Sequence, residues 1–213
     1  MRQYINEPHE IEKKSFEIIG RELGSIHFPE ETDSIVKRVI HTTADFEYAR
    51  LIEFKNNAVQ RGLEALKAGK HIYADTGMIK AAINSRALAM QHIDVLNFVH
   101  DEDVIAEAKK RGVTRSTVAM EKAVNRDDVS IFAIGNAPTA LYRLIDLIKG
   151  GAPKPDLIIG APIGFVGAAE SKKALDELDP YDIPYIRING RKGGSPVVGA
   201  IMNALLYRLG RDW

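Results

Sequence analysis

His41 carries the side chain best suited to exchanging a proton near neutral pH, and it lies in the stretch Ile35-Val36-Lys37-Arg38-Val39-Ile40-His41-Thr42-Thr43-Ala44-Asp45-Phe46. Four β-branched aliphatics cluster over Ile35–Ile40, which predicts a short strand ending at His41. Thr42, Thr43 and Asp45 then offer caps to a helix beginning near Phe46. A histidine at a strand's carboxyl end faces the crevice in which open α/β sheets hold their ligands. Strict alternation along that strand places Arg38 and His41 on opposite faces, so both serve one pocket only if the strand bends or ends between them.

A second signal is Gly135-Asn136-Ala137-Pro138-Thr139. Gly135 permits an unusual turn, Asn136 is a good helix N-cap, and Pro138 suits a first turn, where a missing N–H costs nothing. Free N–H groups at such a terminus attract a phosphate or carboxylate, which makes Asn136 and Thr139 candidate binding residues. Gly160–Gly167 holds glycines in G-x-x-x-G-x-x-G spacing, which is neither the dinucleotide fingerprint nor the P-loop. Cations that could meet an anionic ligand are scattered at Arg38, Arg115, Lys172 and Arg191, with Lys13, Lys14 and Lys192 beside them. His92, His100, Asp101 and Glu102 read as solvated loop residues, and no metal centre is expected. No G-x-S-x-G elbow occurs.

The elements that must position these residues read in order. An amphipathic helix over residues 9–23 closes at Gly24, and the 35–41 strand follows. A helix over 55–68 leads to a strand at 71–74, and a strand at 94–99 to helices at 103–110 and 115–124. The run Val129–Ile134 is almost unbroken apolar, as expected of a strand covered on both faces. A helix at 136–149, a strand at 157–159, a helix at 168–178, a strand at 185–188 and a closing helix at 195–209 complete the chain. This alternation predicts an α/β fold, a doubly wound three-layer α/β/α domain with a mainly parallel sheet, in a single domain over 1–213.

The 213 residues carry 29 Lys+Arg and 29 Asp+Glu, so the net charge is zero and no sequence-wide attraction to nucleic acid or an anionic membrane is indicated. With no cysteine, thiol nucleophiles, thiolate metal sites and disulfides are absent. No apolar run approaches the ~20 residues of a membrane span, and the N-terminus shows no apolar signal core. The expectation is a cytoplasmic protein.

Several motifs in order resemble one family. Ser15-Phe16-x-Ile-Ile, Arg38-Val-Ile-His41, Thr114-Arg115-Ser116, Ala133-Ile-Gly-Asn-Ala-Pro-Thr-Ala-Leu141, Gly151-Ala-Pro-Lys-Pro155, the run Gly160–Lys172 and Gly190-Arg-Lys-Gly-Gly-Ser195 are similar to those of the precorrin-8X / cobalt-precorrin-8 methylmutases, over about Ile11 to Leu209. The resemblance implies an isomerase that moves a methyl group from carbon 11 to carbon 12 of a corrinoid, giving hydrogenobyrinate or cobyrinate, with no cofactor. It implies His41 as the catalytic histidine, Ser15 and Arg38 as substrate contacts and Arg115 as an active-site arginine. His41-Thr-Thr-Ala-Asp-Phe46 looks more like the cobalt-using branch. A polycarboxylate corrinoid would need cations and helix N-termini at its rim, which Asn136, Thr139, Lys172 and Arg191 could provide. The different-class alternative is a non-catalytic corrinoid carrier. The resemblance also implies a dimer. The broad apolar face of the closing helix (Val197, Val198, Ile201, Met202, Leu205, Leu206), which needs a cover, also points to a homodimer with the site near its interface.

Overall fold

The computed structural model describes residues 5–210. In order, the elements are α1 (Pro8–Leu23), α2 (Glu30–Thr43), α3 (Tyr48–Leu51), β1 (Ile52–Lys55), α4 (Ala58–Lys67), β2 (His71–Ala74), α5 (Gly77–Ala82) and α6 (Ser85–Met90). There follow β3 (Val95–Leu96), α7 (Glu102–Arg111), α8 (Arg115–Val124), β4 (Val129–Ile134), α9 (Pro138–Lys149) and β5 (Leu157–Gly160). The chain closes with α10 (Ala168–Lys173), a 3-10 segment Ala174–Tyr181, β6 (Tyr185–Ile188) and α11 (Ser195–Tyr207).

The six strands form one sheet in the order β1-β6-β5-β4-β2-β3. All neighbours run parallel except β1, which pairs antiparallel with β6 at the edge. Alternate strand residues feed two cores. Ile72, Ala74, Ile131, Ala133, Leu157, Ile159, Ile186 and Ile188 face a core shared with α1, α2, α4, α5, α6 and α11. Tyr73, Phe132, Ile134, Ile158 and Tyr185 face a core shared with α7, α8, α9 and the 3-10 segment. This is the three-layer α/β/α arrangement with a mainly parallel sheet. β4 is buried at every position because it lies mid-sheet with helices on both faces.

The expected strand at 35–41 is instead the second half of α2. The helical period becomes visible over a longer window: Thr32, Ile35, Val36, Val39 and Ile40 are all buried, at i, i+3, i+4, i+7 and i+8. Glu30, Glu31 and Asp33 in the first turn suit the helix N-terminus, Lys37 pairs with Asp33 at 2.7 Å, and Ala44 closes the helix in the left-handed conformation. β-branched residues weaken a helix only slightly, and burial against α11 outweighs that. An unexpected strand is β1, whose Ile-Glu-Phe-Lys alternates apolar and polar but runs for only four half-buried residues, too short to stand out. The expected strand at 94–99 contracts to Val95–Leu96.

α11 lies between the sheet and α2, with α4, α5 and α6 also against it. Val197, Val198, Ile201, Met202, Leu205 and Leu206 are all buried within the one chain. The apolar breadth of this helix is therefore met by α2, and its face calls for no second subunit.

Candidate active site

The parallel strands send their carboxyl ends to one edge of the sheet. The antiparallel register of β1 brings α2's end to the same edge: Ile52 pairs with Ile188 at the end of β6, and the Asn189 N–H donates to the Leu51 carbonyl at 2.8 Å. His41 occupies the last turn of α2. With Ser15, Ile18, Ile19, Glu22, Ile40, Ala44 and Phe46 it lines a shallow cleft of about 210 Å³ between α1 and α2. The His41 ring is exposed and meets the Phe16 ring edge-on at 5.8 Å, and no group among the described residues hydrogen-bonds to its nitrogens. An imidazole so placed is free to give or take a proton from a molecule in the cleft. The Ser15 hydroxyl donates to the Ile11 carbonyl one turn back, at 2.8 Å, and retains its lone pairs for a ligand.

Because α2 is a helix, Arg38 and His41 lie three residues apart on one face, which removes the conflict that a strand would impose. Both side chains touch Phe16. Arg38 is nevertheless engaged: its guanidinium pairs with Glu12 and lies 5.3 Å from the Phe16 ring centre and 4.7 Å from that of Tyr207. It ties α1, α2 and α11 together, and a substrate carboxylate would compete with Glu12 for it.

A second cleft, of about 530 Å³, opens where the strand order reverses between β4 and β2. Asp75, Thr76, Gly77, Met78, Val99, His100, Thr114, Arg115, Ser116 and Asn136 line it. Arg115 and Asn136 are exposed here, and Thr139 joins the rim through a 2.9 Å hydroxyl contact with Thr114. The helix N-terminus expected to attract an anion already holds one. Asp75, leaving β2, accepts from the N–H groups of Gly135 (3.0 Å), Asn136 (2.9 Å) and Ala137 (2.6 Å). The N-cap position of α9 is Ala137, with no capping side chain of its own, and Asn136 contributes only its backbone. Burial pushes the Asp75 carboxyl up from its ordinary value, and the three donors pull against that. With both oxygens accepting, the site is built for the carboxylate.

Lys172 and Arg191 lie on a third part of the edge. Lys172 is fully buried, and its ammonium donates to the Lys192 carbonyl at 2.7 Å. Burial lowers it to about 8. Lys192, one residue past Arg191, pairs with Asp45 and, at 2.7 Å, with Glu47, just beyond His41. These partners, Asp45 first, hold the Lys192 ammonium above its ordinary value, and Lys192 holds the Asp45 carboxyl below its own. Asp45 also caps the turn, accepting from the Glu47 N–H at 2.9 Å. The Arg191 guanidinium lies 5.4 Å from the Phe165 ring centre.

The eight residues singled out in the sequence thus fall into three neighbourhoods along one edge: Ser15, Arg38 and His41; Arg115, Asn136 and Thr139; Lys172 and Arg191. The sequence places Asp75 at a strand exit but does not show its capping role, nor the pairing of Glu12, because their partners lie 60 and 26 residues away, where no local pattern reports on them. Among the described residues, no three His, Asp or Glu side chains converge as metal ligands do.

The sequence profile described as precorrin-8X methylmutase matches residues 10–208. The chain belongs to the precorrin-8X methylmutase family. A cobalt-precorrin-8 methylmutase of Priestia megaterium is 47% identical over 93% of this chain and 87% of its own. A precorrin-8X methylmutase of a Sinorhizobium species is 39% identical over 95% of each chain. The crystal structure of the precorrin-8X methylmutase from Thermus thermophilus superposes with a TM-score of 0.85, at 39% identity over 93% of this chain and 95% of that one. Methylmutases of this family are isomerases of cobalamin biosynthesis, and the enzyme class of this member is intramolecular methyl transfer.

Proposed function

We propose that this methylmutase moves a methyl group from carbon 11 to carbon 12 of cobalt-precorrin-8, giving cobyrinate, with His41 as proton donor and acceptor. The observation that carries the reading is the unpartnered His41 imidazole in a cleft it shares with Ser15, in a chain of this family. A methyl shift of the 1,5-sigmatropic kind breaks the bond to one ring carbon as it forms the bond to the next, so no nucleophile or outside methyl donor enters the balance. A proton placed on the macrocycle alters its conjugation and lowers the barrier, and general acid help of this kind is worth roughly 10²–10⁴-fold. His41 supplies that proton and recovers it afterwards. Ser15 contacts the ring system, Arg115 meets a peripheral carboxylate across the edge, and Asn136 and Thr139 belong to that rim. Any cobalt belongs to the substrate.

A homodimer is part of the proposal. Ile11 and Ile18 stand exposed on α1 on either side of Ser15, and Ile18 lines the His41 cleft. A second copy against α1 would cover them and deepen a cleft that is shallow in one chain. The cytoplasm is the expected compartment, and no described helix is long and apolar enough to cross a membrane.

Incubation with each substrate form, followed by absorbance and mass, tests the reading. Isomerisation changes the chromophore at constant mass. Unchanged spectra with a bound ligand would mark a carrier instead.

A further inference from the structure

The two most exposed large apolar side chains of the described protein, Phe165 and Val166, stand together on one loop with Ile163 beside them. Phe165 is 81% exposed, Val166 90% and Ile163 52%, all between β5 and α10 at the carboxyl edge of the sheet. This exposure is not a consequence of a slack loop. The Gly164 N–H donates to the Arg191 carbonyl at 3.1 Å, the Gly194 N–H to the Ala161 carbonyl at 2.9 Å, and the Ser171 N–H to the Gly167 carbonyl at 2.8 Å. The Ala161 carbonyl oxygen fills the place of the Cβ that Gly193 lacks, 2.2 Å from where it would stand. The backbone holds the tip out, with the Arg191 guanidinium 5.4 Å from the Phe165 ring centre. Arg191 has no carboxylate partner among the described residues, although neighbouring Lys192 takes two, just past His41. One dipeptide therefore links the tip to the end of the helix that carries His41.

We infer that Phe165, Val166 and Arg191 form a substrate-holding lip, in which the aromatic and aliphatic tip lies against the apolar face of the macrocycle and Arg191 pairs with one of its carboxylates. The inference rests on the methylmutase reading and deepens it. A flat apolar ring system fringed with carboxylates needs an apolar surface beside an unneutralised cation, and this lip supplies both on a pinned backbone. A carboxylate also fits the guanidinium without breaking an existing ion pair, which Arg38 could not offer.

The test uses the double variant Phe165→Ala/Val166→Ala, the single variant Phe165→Glu and Arg191→Gln in the full chain. Product affinity is read by absorbance titration, alongside turnover at saturating substrate and molar mass by light scattering. The lip requires weaker product binding, roughly 10-fold for the double variant and 10- to 100-fold for Arg191→Gln, with turnover of bound substrate within about twofold of the unaltered protein. Phe165→Glu should bind more weakly still, since it sets a negative charge against the substrate's own. Binding equal to the unaltered protein in all three variants overturns the lip. So does a fall in molar mass with unchanged affinity, which would assign the tip to contact between two copies. If the unaltered protein itself neither binds nor forms the product, the methylmutase reading falls and the lip with it. If it does both and only the variants show no defect, the lip alone fails.

Discussion

Asp75 caps the helix that begins after Ala137: its Oδ2 accepts from the Ala137 N–H at 2.6 Å, across the boundary between β2 and β4. One side chain thereby satisfies the helix terminus, fixes the β4–α9 turn and occupies the position where an anionic ligand would otherwise sit. Asp75→Asn should place an amide against N–H donors that now meet an oxygen. A loss of about 1–3 kcal/mol in urea unfolding is expected, and stability equal to the unaltered protein would show that the carboxylate is dispensable.

His41→Ala should slow turnover by roughly 10²–10⁴-fold while leaving the melting temperature unchanged, because the exposed ring contributes little packing. Near-normal turnover in the purified variant would remove His41 from the chemistry.

The two arginines should separate. Arg38→Ala should destabilise the fold by about 1–3 kcal/mol, since it removes the ion pair to Glu12 and opens the space between Phe16 and Tyr207. Arg115→Ala should leave unfolding unchanged and raise KM by roughly 10- to 100-fold, the worth of one charge-assisted pair. Equal stability of the two variants would contradict the structural role of Arg38.

Lys172 gives a pH signature. Burial lowers its ammonium from 10.5 to about 8, so between those values the unfolded chain binds more protons than the folded one. Its contribution to stability must therefore rise with pH across that window, relieving a penalty of roughly 3 kcal/mol that is fully present below pH 8. Relative to Lys172→Met, the unaltered protein should gain about that amount of unfolding free energy from pH 7 to pH 10.5. A pH-independent difference would mean that the ammonium is not penalised by its surroundings.

Light scattering should give a molar mass near twice the 23.6 kDa of one chain. Ile11→Glu/Ile18→Glu should halve it. A single-chain mass for the unaltered protein would refute the dimer and leave the His41 cleft to be completed by substrate alone.

The sequence alone determined the layered α/β plan, because mid-sheet strands such as Val129–Ile134 and amphipathic helices such as α9 announce themselves in short-range periodicity. It also determined the family, through motifs spread along the chain. Tertiary structure decided what those patterns became. Ile35–Ile40 has the composition of a strand, yet burial against α11 selects the helix, and only that helix puts Arg38 and His41 on one face. α11 looks like a surface in need of a partner until α2 is seen to cover it. Gly135–Thr139 looks like an open anion site until Asp75 is seen to fill it. Lys172 looks like a rim cation until burial turns it inward to the Lys192 carbonyl. In each case the deciding partner lies 20 to 174 residues away, as in the Lys172–Lys192 contact and the Arg208–Ser34 contact between α2 and the end of α11. Contacts of that separation exist only once the chain has closed on itself, and local periodicity carries no trace of them.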